Sequence, residues 1–186
     1  MKRRTFLQTS GAGAWLLGSP SALAETAALP GGRVLNPDQW RLIRTVQDHL
    51  LPSEPDAPGA SDIDATAYLD RALGDARFDP EVKAFILNGV GWLEELAVEQ
   101  ERRSFHAIEP ARREDLLRQI AGSRAGENWL STLVGYTLEA LLADPLYGGN
   151  PGGIGWRWLD HDPGQPRPTP DKIHGRLGRL GRLGRS

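Results

Sequence analysis

The chain has 186 residues, of which 39% are hydrophobic and 25% charged, with a net charge of −2 and no cysteine. These values suit one soluble domain with short appendages. The lack of thiols excludes disulfides, thiolate-held iron–sulfur clusters and c-type haem attachment, and the mild acidity gives no reason to expect nucleic acid as a partner.

The N-terminus reads as an export signal. Arg3 and Arg4 are followed by Phe6 and Leu7, the twin-arginine pattern, and a weakly apolar stretch runs from Thr9 to Leu23. Ala22 and Ala24 frame a small-x-small cleavage site before Glu25. The stretch falls short of the roughly 20 apolar residues that a bilayer span needs, and Pro20 interrupts it. Residues 1–24 are therefore expected to be a leader read by the twin-arginine translocase, and the protein is expected in the periplasm. Without the leader, 19 cations face 24 acids, a balance of −5. This route carries proteins already folded, often because a cofactor must be inserted first. A chain with no cofactor site of its own that bears such a leader implies that the cofactor sits on a passenger.

Residues 25–35 read as an extended linker. Asn36, Pro37 and Gln39 then open a helix, with a capping side chain, a proline suited to the first turn and the third position of a capping box. Trp40, Ile43, Val46, Gln47 and Leu50 follow at helical spacing, and Pro52 ends the run. Residues 52–62 form an acidic, proline-rich loop; Glu54, Asp56 and Asp62 lack the spacing of an EF-hand, so a solvated loop is expected. A short helix spans about 64–73, with Tyr68, Leu69 and Ala72 apolar. Asp79-Pro80 starts a long one, striped by Val82, Phe85, Ile86, Val90, Leu93, Leu96 and Ala97 and expected to fray over 99–103. Gly89 and Gly91 each weaken it by about 1 kcal/mol relative to alanine, which close approach of another helix would explain.

Glu109-Pro110 opens a fourth helix, faced by Leu116, Leu117 and Ile120 and stopped at Gly122. A fifth, around Trp129, places Leu130, Leu133, Val134, Thr137, Leu138, Leu141 and Leu142 on one buried face and stops at Asp144-Pro145. No segment alternates long enough for a strand. The expected fold is all-α: a bundle of about five helices over 36–146, followed by an irregular Gly/Pro-rich arm over 147–174.

In the arm, five glycines fall within residues 148–155, and prolines follow at 163, 166, 168 and 170. Such a segment is not expected to make a helix. Tyr147, Trp156 and Trp158 must either fold back into the core or bury against a partner, and the residues themselves leave both open. Residues 175–186 repeat Gly-Arg-Leu three times; a glycine at every third position argues for a disordered tail, with weak attachment to anionic lipid or an acidic patch on a partner as the other reading.

No catalytic constellation stands out. His49, His106, His161 and His174 form no zinc-binding spacing, and neighbours such as those in Asp160-His161-Asp162 rarely converge on one ion. The glycine block has no nucleotide-loop pattern; it follows a helix and is not expected to open one. There is no Gly-x-Ser-x-Gly elbow, and Glu94 and Glu95 diverge by about 100° on a helix. No catalytic, cofactor-binding or metal residue is assigned.

The block EALLADPLYGGNPGGIGWRWLDHDPG, Glu139 to Gly164, resembles the C-terminal block of the gluconate 2-dehydrogenase subunit 3 family, and the resemblance extends over roughly 35–170. It implies the small, non-catalytic subunit of a periplasmic, FAD-dependent sugar or sugar-acid dehydrogenase. Such a subunit would escort and stabilise a large flavoprotein of the glucose-methanol-choline type that carries the FAD. The complex leaves room for a cytochrome c subunit. The implied contact with the large subunit falls on Tyr147, Gly148, Gly149, Asn150, Gly155, Trp156, Trp158 and Pro163. The repeat tail lies outside the resemblance. Two other readings compete: a stand-alone periplasmic helical binding or structural protein, and a hydrolase using scattered acids, for which no nucleophile is evident.

Overall fold

The computed structural model describes residues 34–170. The leader with Arg3, Arg4, Phe6, Leu7, Ala22 and Ala24, the linker up to residue 33 and the Gly-Arg-Leu repeats lie outside the described residues.

Six α-helices follow one another: α1 Pro37–Leu50, α2 Ala65–Leu73, α3 Pro80–Glu101, α4 Pro110–Ala121, α5 Arg124–Leu142 and α6 Ile154–Trp158. Three single turns of 3₁₀ helix, Phe105–Ala107, Pro145–Tyr147 and Pro151–Gly153, join them. No strand occurs among the described residues beyond an isolated bridge between Glu54 and Ala57. The fold is all-α, as expected, with six helices rather than five. The extra one, α6, lies inside the glycine block that the sequence reading excluded from helix. Glycine is unfavourable in a helix because it loses backbone entropy. Here a single turn offsets that cost by burying Trp156 and half-burying Ile154.

The helix starts follow the sequence closely. The Asn36 side chain accepts from the backbone N–H groups of Asp38 and Gln39 at 3.0 and 2.9 Å. The Gln39 side chain in turn accepts from Asn36 N–H at 3.0 Å, which closes the capping box. Asp79 caps α3 in the same way, accepting from Glu81 N–H at 2.7 Å. Proline stands at the first turn of α1, α3 and α4. The C-terminal end of the linker is held too: Asp70 on α2, buried, accepts from Val34 and Leu35 N–H at 3.0 and 2.8 Å, and Leu35 enters the core.

Helix α5 is the axis of the bundle and touches each of the other five helices. Its Trp129 is fully buried and donates its indole N–H to the Ile86 carbonyl of α3 at 3.0 Å. The approach depends on Gly89, where a Cβ would lie 2.2 Å from the Trp129 ring. Gly91 has no such reason: a Cβ there meets nothing within 4 Å. The expectation of a close helix therefore holds for the first glycine and fails for the second, because the two project from α3 about 200° apart. A buried polar chain ties three helices together. Thr66 of α2 donates to Gln47 of α1 at 2.8 Å, and the Gln47 amide donates to Thr137 of α5 at 3.1 Å. Thr137 passes the bond on to the Leu133 carbonyl at 2.8 Å, so each group has a partner. Phe105, also fully buried, fills the core from a turn that the helical periodicity did not reveal.

Candidate partner interface

Helix α5 carries more apolar surface than one buried face needs. Trp129, Leu133, Thr137, Ala140 and Leu141 point inward. The helical periodicity puts Val134, Leu138 and Leu142 on the same face, yet they are 38%, 48% and 50% exposed. Each follows a buried residue, Leu133, Thr137 or Leu141, by one position and so stands about 100° round the helix from it, which puts this row along the outside of the helix as a ridge. Gly135, beside the ridge and exposed, has nothing within 4 Å of where its Cβ would be.

The glycine block closes the C-terminal end of the bundle instead of extending from it. Asn150 is its centre, with no exposed surface. It sits at φ 52°, a left-handed conformation that asparagine tolerates better than most residues. Its side-chain amide donates to the Ala143 carbonyl at 3.0 Å, its side-chain oxygen accepts from Gly155 N–H at 2.7 Å, and its backbone N–H donates to the Ile63 carbonyl at 2.9 Å. Gly149 and Gly155 are needed for contact, since a Cβ would lie 2.7 Å from the Ala140 carbonyl and 2.2 Å from that of Leu141. Trp156, 7% exposed, donates its indole N–H to the Leu142 carbonyl at 2.8 Å. Gly148, at φ 97°, lies against the Arg71 side chain, and Tyr147 is half-buried.

Of the eight residues that the sequence reading assigned to a partner, Gly149, Asn150, Gly155 and Trp156 are thus buried within the chain itself. Tyr147 and Gly148 are half-buried, and Trp158, 43% exposed, and Pro163 face outward. Residues 147–158 are not extended, because the carbonyls of Leu142 and Ala143 at the end of α5 need donors and the Trp156 indole and the Asn150 amide supply them. Leu159, 44% exposed, joins Trp158 on the outer surface. The glycine block does open a helix, contrary to expectation, but one of only five residues.

An ion pair braces this end. Arg167 forms an ion pair with Asp144 at 3.0 Å, and its guanidinium lies 4.9 Å from the centre of the Trp156 ring. Burial pushes the Asp144 carboxyl up, but Arg167 and the Leu146 N–H together outweigh it and hold the group below its ordinary value. Burial and the nearby Glu139 carboxylate push the Tyr68 hydroxyl up to about 12; Tyr68 donates to Glu139 at 3.2 Å. Across the bundle, Glu114 is held below its ordinary value by Arg118 and by His49 of α1. In the acidic loop, Asp62 is lowered by donors from Ser53 and Gly59 N–H, so that carboxylate shapes its own loop.

Shallow clefts of about 350, 320 and 500 Å³ lie among the described residues. The widest lies between the acidic loop and α6 and is lined by Glu54, Asp56, Asp62, Arg157 and Trp158 among others. No group of three or more His, Asp or Glu side chains suited to a metal occurs among the described residues. Asp160, His161 and Asp162 are exposed. Among the described residues, no helix is long and apolar enough to cross a membrane.

The ridge escaped the sequence reading because periodicity marks apolar positions without saying which of two adjoining arcs is covered. The signal was present: seven apolar positions on one helix span a wider arc than a single seam requires. These features define the class, a small helical bundle with an apolar row along its outer face and a glycine-rich closure at one end. The family described as Gluconate 2-dehydrogenase subunit 3 matches residues 37–164, and the chain belongs to it. The matched span takes in α1 through α6 and leaves out the leader and the basic tail. No curated protein and no solved structure shows a significant match to the chain.

Proposed function

We propose that this chain is the non-catalytic small subunit of a periplasmic, FAD-dependent dehydrogenase complex, and that it escorts the catalytic flavoprotein subunit through the twin-arginine route and stabilises it afterwards. The observation that carries the reading is the ridge of Val134, Leu138 and Leu142 on a member of a dehydrogenase-subunit family. Exposed leucines in a row cost solubility in an isolated protein and gain their value when a partner covers them. Trp158, Leu159 and Pro163 extend the outward apolar surface at the α6 end. The FAD belongs to the flavoprotein, and a cytochrome c subunit is compatible with the same assembly. Arg3 and Arg4 engage the translocase on behalf of both subunits.

The test is co-expression with the large flavoprotein subunit. With Arg3→Lys and Arg4→Lys combined, the flavoprotein is expected to stay in the cytoplasm, and Leu138→Glu is expected to reduce its co-purification with the small subunit. Flavoprotein reaching the periplasm equally well with both lysines in place would refute the escort reading.

A further inference from the structure

Gly91 has no packing reason to be glycine, yet it stands in the middle of the 22-residue helix α3. Glycine there costs about 1 kcal/mol relative to alanine. What lies beside it is open space. Gly91 lines the cleft of about 320 Å³ between the start of α1, the middle of α3 and the segment around the turn Phe105–Ala107. Leu42 and Val90, 2% and 5% exposed, and half-buried Leu87 give that cleft an apolar floor. A side chain at position 91 would enter it.

The rim is polar and has bonding capacity to spare. Glu94 accepts from Phe105 N–H at 3.0 Å through one carboxylate oxygen, and no bond among the described residues reaches the other. The Ser104 hydroxyl and the His106 ring have no hydrogen-bond partner among the described residues. Two carboxylates, Asp38 and Glu94, line the cleft, and no lysine or arginine does. Arg41 reaches one oxygen of Asp38 at 2.8 Å from outside the lining. An anion does not suit the site. The N–H groups of Asp38 and Gln39, which would greet one at the start of α1, are taken by the Asn36 cap.

The cleft is shallow and stands at the small end of the range for ligand pockets. A free small molecule would leave much of its apolar surface wet there, whereas a side chain brought by another protein is covered by the protein that brings it. An aliphatic stem suits the floor, and a cationic head suits the free oxygen of Glu94. We propose that a lysine or arginine side chain of the flavoprotein partner is seated in this cleft, with its stem on Leu42, Leu87 and Val90 and its charge on Glu94. The inference rests on the reading of this chain as the small subunit of a dehydrogenase complex. It gives that complex a second contact, formed by α1 and α3 and not by the α5 ridge.

The chain has no native cysteine, so Gly91→Cys can be alkylated at that position alone. In the full-length chain this variant is expected to bind the purified flavoprotein subunit as the parent does, and to lose at least tenfold in affinity once N-ethylmaleimide occupies the cleft. Ala84→Cys, at an exposed position on α3, should bind equally before and after alkylation. Glu94→Gln keeps an acceptor for Phe105 N–H but loses the charge. It is expected to weaken the complex about tenfold and to flatten its dependence on salt. Unchanged binding by alkylated Gly91→Cys and by Glu94→Gln, with Leu138→Glu still weakening the complex, would overturn the cleft contact and leave the subunit reading standing. A small subunit that binds no flavoprotein in any form would overturn both. Micromolar binding of free butylammonium by the purified chain, abolished by the same alkylation, would overturn the proposal too, because the cleft would then be a small-molecule site.

Discussion

Replacing Gly89 and Gly91 separately by alanine tests whether contact, and not helix propensity, governs the middle of α3. At Gly89 the new methyl would lie 2.2 Å from the Trp129 ring, far inside van der Waals contact, and Trp129 is enclosed on all sides. Overpacking of this kind costs about 1–3 kcal/mol. Displacing the ring also breaks the 3.0 Å bond to the Ile86 carbonyl and strands a buried indole N–H, about 1–3 kcal/mol more. The better helix propensity of alanine offsets about 1 kcal/mol. The net expectation is a loss of about 3 kcal/mol, which lowers the melting temperature by about 10 °C in a domain of this size. Gly91 has no neighbour within 4 Å of the added methyl, so only the propensity acts and the variant gains up to about 1 kcal/mol. Thermal and urea unfolding followed by circular dichroism measures both. Gly89→Ala unfolding at or above the parent's midpoint, or both variants shifting the same way, would show that Trp129 does not pack as described.

Asn150 offers a second check on the glycine-block closure. Asn150→Ala loses two side-chain bonds in a fully buried site, costing about 2–4 kcal/mol. Asn150→Gly loses the same bonds but keeps the left-handed backbone without strain, so it should be less damaging by about 1 kcal/mol. Limited proteolysis between residues 144 and 158, together with urea midpoints, reads the order; an alanine variant as stable as the glycine variant contradicts the backbone argument. Tyr68 supplies a pH dependence. Its folded pKa is raised to about 12 against about 10 in an unfolded chain, so the native state holds that proton more tightly. Its contribution is fully present below pH about 10 and is lost as pH rises toward about 12. Urea midpoints of Tyr68→Phe should fall less steeply across that window than those of the parent, and parallel curves would remove Tyr68 as the cause.

The elements that the sequence announced are those set by neighbours along the chain. Asn36, Pro37 and Gln39 define the start of α1 through bonds spanning three residues, and Asp79-Pro80 does the same for α3. Proline at residue 145 and glycine at residue 122 stop helices for equally local reasons. The family was legible as well, because the block from Glu139 to Gly164 is distinctive in its residues whatever their conformation. Phe105, Leu35 and the buried carboxylate of Asp70 escaped because each owes its place to a contact with a distant segment.

An all-α bundle and its helix starts and stops follow from the residues alone, since capping, proline geometry and helical period act within a few residues. Which apolar arc of α5 is covered and which is left outside emerges from packing, because it depends on where α1 to α4 lie. Packing alone turned the glycine-rich block from an outstretched arm into a closure. Asn150 and Trp156 find their hydrogen-bond partners at the C-terminal end of α5, and no local rule could tell that those carbonyls were within reach.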